Sequence, residues 1–153
     1  MAAEAKALAL LNRPQEATAT LQALHDQLDR GVTGDRWDFF KPDQIPFAES
    51  WVAAYAGDEA AADAARDRVL RIIPERSYQY RVNARLHEAI STTALGGVDE
   101  GTALASELID ALPAKFRTNH IRGTARMVLR AVPIQQQDRP AVAELRSMLA
   151  INA

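Results

Sequence analysis

Apolar residues recur at three- and four-residue spacing along almost the whole chain, and the two-residue alternation of half-buried strands is nearly absent. The pattern predicts eight helices, over about 2–11, 14–29, 43–56, 58–73, 77–95, 98–112, 115–132 and 139–150. Each break has a chemical cause. Pro14 and Pro140 stand where a first helical turn tolerates a missing N–H. Gly57 and Gly96-Gly97 can take the left-handed conformation that ends a helix. Pro74, Pro113 and Pro133 stop helical runs. The longest irregular stretch runs from Arg30 to Pro42 and carries Trp37, Phe39 and Phe40. It is too aromatic for a plain linker, so it is expected to fold back and bury Trp37 and Phe39. A ligand-contacting lid is the alternative.

The chain repeats itself. Laying residues 44–74 over 83–113, an offset of 39, brings Gly57 onto Gly96, Pro74 onto Pro113, Glu49 onto Glu88 and Ala64 onto Ala103. Small Ser50 meets small Ala89. Apolar Phe47, Trp51, Val69, Leu70 and Ile73 meet Leu86, Ile90, Leu108, Ile109 and Leu112. Two more copies are weaker. One has its corner at Leu10-Leu11-Asn12-Arg13-Pro14 and a stripe of Leu21, Leu24 and Leu28. The other has its corner at Gln137-Asp138-Arg139-Pro140 and a stripe of Val142, Leu145 and Leu149. A second echo, offset by 36, sets Tyr80-Arg81-Val82-Asn83 on Phe116-Arg117-Thr118-Asn119 and carries Ala89 onto Ala125. One helix pair cannot bury its apolar face alone, so pairs must stack.

These residues resemble the tetratricopeptide family. A small residue stands in the first helix (Ser50, Ala89, Ala125), Gly at the corner, Ala62 or Gly101 early in the second helix, and Pro at the close. The resemblance implies one all-α domain over residues 1–153, an α-solenoid of about four antiparallel helix pairs. More narrowly, the segment from Trp37 to Leu149 is similar to the C-terminal sensor regions of bacterial helix-turn-helix transcriptional regulators. The stretches concerned are Pro74-Glu75-Arg76-Ser77, Ala94-Leu95-Gly96-Gly97 and Arg139-Pro140-Ala141-Val142-Ala143-Glu144-Leu145-Arg146. The family's basic recognition helix has no counterpart here. The chain is therefore expected to be a fragment or a stand-alone sensor module, and DNA binding is not carried over.

Charge narrows the function. Eighteen basic and 20 acidic residues are interleaved, with a net charge of -2. Neither a nucleic acid nor an anionic membrane is attracted by that balance. No apolar run is long enough to span a bilayer, and the start lacks the basic-then-apolar signature of a signal peptide. A cytoplasmic location is expected. With no cysteine, thiolate chemistry and cysteine-held zinc are excluded. His25, His87 and His120 form no metal-binding spacing, and His25 is expected to pack or face solvent. No nucleophile elbow, phosphate loop or dinucleotide fingerprint occurs. The acids Asp58-Glu59 and Asp99-Glu100 complement helix dipoles at first turns. The chain is expected not to be an enzyme and to need no cofactor.

Binding remains. The resemblance places groove positions on the first helix of each pair: Gln44, Phe47, Trp51 and Tyr55, then Asn83, Leu86, Ile90 and Thr93, with Asn119 echoing Asn83. In related peptide-sensing regulators asparagines hold a peptide backbone, and an amide both donates and accepts. Phe47, Trp51 and Tyr55 would form apolar pockets, or would be core. Arg122, Arg126 and Arg130 make a basic stripe that either pairs with nearby acids or contacts an anion. The expected role is a regulatory module linked to transcription that recognises a peptide or protein segment in a concave groove. A small-molecule signal-binding domain and a structural dimerisation scaffold, with a homodimer as its product, are the alternatives.

Overall fold

The computed structural model describes residues 1–30, 44–75 and 77–150. The aromatic stretch around Trp37 and Phe39, and Arg76, lie outside the described residues. The described residues form eight α-helices: α1 (Ala2–Leu10), α2 (Pro14–Asp29), α3 (Gln44–Ala56), α4 (Glu59–Ile72), α5 (Tyr78–Ala94), α6 (Val98–Asp110), α7 (Asn119–Ala131) and α8 (Pro140–Ala150). The fold is all-α, and consecutive helices pack as antiparallel pairs.

The chain divides into two compact units, Met1–Ile72 and Ile73–Ala153. In the first, α1 packs on α2 and α3, α2 on α3, and α3 on α4. In the second, α5 packs on α6 and α7, α6 on α7 and α8, and α7 on α8.

Three of the pairs turn the same corner. Asn12, Gly57 and Gly96 have φ of 57°, 72° and 102°. In each case the next residue donates back to the carbonyl five positions earlier. The bonds are Arg13 N to Leu8 O (3.0 Å), Asp58 N to Ala53 O (3.2 Å) and Gly97 N to Thr92 O (2.9 Å). This closing pattern satisfies carbonyls that the helix end leaves orphaned. Asn12 therefore does in the first pair what glycine does in the next two, which asparagine can because it tolerates the left-handed region. The fourth corner is different. Val132 is extended before Pro133, and a 3-10 turn (Ile134–Gln136) follows before α8 begins.

The start of α7 departs from the expected 115. Ala114–Phe116 is a separate 3-10 turn, and α7 begins at Asn119 with Thr118 as its cap, Thr118 Oγ1 accepting from Ile121 N at 3.3 Å. Arg117 holds this corner by donating to the carbonyls of Leu112 (2.8 Å) and Asp110 (3.2 Å).

From residue 47 onward the offset of 39 is carried through the first helix of the two middle pairs. Phe47, Ala48, Ser50, Trp51, Val52 and Ala54 are buried, and so are their mates Leu86, His87, Ala89, Ile90, Ser91 and Thr93. In the second helix the mates diverge. Ala62 and Gly101 are both buried, but Ala65 and Val69 correspond in burial to Ala105 and Ile109, one position later than the alignment sets them. The helix α6 buries a wider face, including Thr102 and Ser106, because it packs against α5, α7 and α8 within its unit, whereas α4 packs against α3.

Candidate functional site

Helix α3 is nearly surrounded, and its few accessible positions define the site. Of its thirteen residues, Pro46, Phe47, Ala48, Ser50, Trp51, Val52 and Ala54 are buried. The half-buried or exposed Glu49, Ala53 and Ala56 follow one another at helical spacing and form the floor of an open cleft of about 330 Å³. Thr18, Leu21, Gln22 and His25 of α2 make one wall, and Ala61, Ala64 and Arg68 of α4 the other. The site lies wholly within the first unit.

Alanine dominates the floor and the α4 wall. Side chains of that size leave the helix backbones accessible to a guest and create the trough. Asp58 closes one end, but its carboxylate is already committed, since Asp58 Oδ1 accepts from Ala61 N at 3.0 Å and caps α4.

Glu49 is the one acidic or basic residue of α3. Its two oxygens are held from opposite walls. His25 Nε2 donates to Oε1 at 2.5 Å, and Arg68 Nη2 donates to Oε2 at 2.6 Å. The row His25–Glu49–Arg68 thus ties α2, α3 and α4 across the cleft. Glu49 is 18% exposed, while His25 and Arg68 are 40% and 45% exposed. The carboxylate is sheltered, and the imidazole and guanidinium edges face solvent. A guanidinium has more N–H groups than one carboxylate oxygen consumes, so Arg68 can also donate to a carbonyl or carboxylate of a guest.

The residues expected to form a groove are placed as follows. Phe47, Trp51, Leu86 and Ile90 are core, each under a tenth exposed. Lys6 of α1 lies over the Phe47 ring at 5.7 Å from its centroid, and burial lowers the Lys6 pKa. Tyr55 is half-buried, its ring 5.4 Å from that of Trp51. Asn83 is buried inside α5, where Nδ2 donates to Gln79 O at 2.7 Å. Asn119 is exposed and is the first residue of α7, so the two asparagines do not hold equivalent positions. Arg122 is half-buried and donates to Arg117 O at 2.9 Å, which makes it part of the α6–α7 corner. Arg126 is exposed.

Sequence reasoning missed the cleft. Its polar row joins residues 24 and 19 positions apart, and its floor is alanine. Glu49 did stand out in the repeat, through its match to Glu88. Glu88 instead pairs with Arg85 on its own helix at 3.0 Å.

Among the described residues, no group of three or more His, Asp or Glu could hold a metal ion, and no helix is long and apolar enough to cross a membrane. The architecture defines an all-helical protein of sequentially paired helices. No protein-family model, curated protein or solved structure matches the chain.

Proposed function

We propose that the chain is a tetratricopeptide-like binding module, a stack of helix pairs that recognises an extended segment of a peptide or protein and passes that recognition on as regulation. The observation that carries this reading is the cleft over Glu49, Ala53 and Ala56, with His25 and Arg68 on its two walls. Its volume of about 330 Å³ suits a few side chains of a longer guest. The alanine floor accepts apolar side chains, and the outward edges of Arg68 and His25 suit carbonyl or carboxylate oxygens. The identical closing of three corners supports the repeat reading, because the same turn rebuilds the same helix pair.

Selection from a displayed library of random peptides tests this. Sequences with an apolar residue flanked by an acidic or C-terminal carboxylate are expected to be enriched on the native chain. Ala64→Trp, at an exposed position in the cleft wall, is expected to abolish that enrichment without unfolding the protein. Glu49→Gln should weaken the selected peptides about tenfold, because Arg68 and His25 lose the charge that positions them. Equal enrichment on native and Ala64→Trp protein would remove the cleft from the account.

A further inference from the structure

The cleft between α2 and α4 has two unlike ends. At one end the His25–Glu49–Arg68 row runs from wall to wall. His25 reaches in from α2 and Arg68 from α4, and both meet on the Glu49 carboxylate, so side chains lie across the floor. The lining stops at this row. His25 is the last lining residue of α2, Arg68 the last of α4 and Glu49 the first of α3. At the other end stand Thr18, Ala56 and Asp58, all exposed. Asp58 turns one oxygen back to cap Ala61 N. No hydrogen bond or ion pair among the described residues joins Thr18 to Asp58 across that end.

Helix geometry sets the distance between the ends. From Glu49 to Ala56 is two turns of α3, a rise of about 10 Å. An extended chain advances about 3.3 Å per residue, so about three residues fill the trough. A guest on the alanine floor can enter and leave past Thr18 and Asp58. To continue past the row it would have to climb over the His25 and Arg68 side chains. A trough barred at one end and open at the other suits a chain terminus better than a through-running segment.

Charge decides which terminus. Arg68 gives Nη2 to Glu49, while its Nε and Nη1 have no partner among the described residues. A terminal carboxylate matches such spare donors. A terminal ammonium would be repelled by the guanidinium and would find both Glu49 oxygens already taken. Glu49 itself opposes an incoming carboxylate, but Arg68 offsets that charge from 2.6 Å, and the guest meets the outer edge of the guanidinium.

This step rests on the polypeptide-binding reading of the same cleft. We infer that the cleft takes the free C-terminal tail of a partner polypeptide, with about three residues on the floor and the terminal carboxylate on Arg68.

The test uses the full chain and two displayed libraries. One presents random residues at a free C-terminus, and the other follows the same random residues with a fixed glycine–serine extension. Enrichment is expected from the first library alone. A peptide selected from it should bind at least tenfold more weakly when its C-terminus is amidated, and equally well when its N-terminus is acetylated. Arg68→Gln should remove most of the preference for acid over amide, and Glu107→Gln in the other unit should leave it intact. Equal enrichment from both libraries, lost on Ala64→Trp, would overturn the C-terminal assignment while leaving a polypeptide-binding cleft. Enrichment from neither would overturn both. An acid-over-amide preference undiminished in Arg68→Gln would overturn the docking on Arg68.

Discussion

Trp51→Ala is expected to destabilise the first unit by about 3–5 kcal/mol, the usual cost of emptying a large aromatic site in a core. Trp51 is 8% exposed and stands among the buried Phe47, Val52 and Ala54, with the Tyr55 ring alongside. No small neighbour can fill the space. Small domains have only about 5–15 kcal/mol of stability in total, so much of the unit should be unfolded under mild denaturation. Urea unfolding followed by far-ultraviolet circular dichroism checks this. A variant with native stability would show that Trp51 faces a groove, as its spacing from Phe47 and Tyr55 equally permits.

Gly101→Ala is the second. Glycine inside a helix ordinarily costs about 1 kcal/mol against alanine, so propensity alone predicts a more stable protein. The packing predicts the opposite. A Cβ at residue 101 would lie 2.1 Å from Thr93 Oγ1, 2.7 Å from Ala89 O and 3.0 Å from Thr93 N. α5 and α6 would have to separate, at a net cost of about 2 kcal/mol. The equivalent positions in α3 and α4 are Ala54 and Ala62, both buried. One pair uses two alanines where the other sets threonine against glycine. Thr93→Ala should therefore relieve part of the cost of Gly101→Ala by removing the contact with Thr93 Oγ1, while the backbone contacts with Ala89 O and Thr93 N remain. Thr93→Ala alone should be close to neutral, since it also removes a buried hydroxyl with no partner among the described residues. A double-mutant cycle with no coupling would mean that Thr93 and residue 101 do not share a contact.

The helices were legible because their ends are written in proline, glycine and apolar period. Pro14, Gly57, Gly96 and Pro140 fall where the structure turns or starts a helix. The α7 start was misjudged because Lys115 and Phe116 continue the helical period, while the turn there depends on Arg117 reaching back to carbonyls of the preceding helix. Asn12 was recognised as part of a corner but not as its left-handed residue. The site was harder. Phe47, Trp51 and Tyr55 fall on one helix face, and periodicity reports that the face is apolar, not whether it meets protein or a guest. α3 packs against α1, α2 and α4, so its large residues are consumed by packing and its open stripe is left to Glu49 and two alanines. The partnership of His25 and Arg68 with Glu49 depends on how three helices are assembled, and no local spacing encodes it.

The central claim is that a polypeptide segment binds over Glu49 between α2 and α4. Amide shift mapping by two-dimensional nuclear magnetic resonance, on the full chain titrated with a library-selected peptide, tests it most directly. The account predicts saturable shifts concentrated at Gln22, His25, Glu49, Ala53, Ala56, Ala64 and Arg68. Shifts centred instead on Asn83, Asn119 and Arg126, with the α2–α4 amides unmoved, would contradict it.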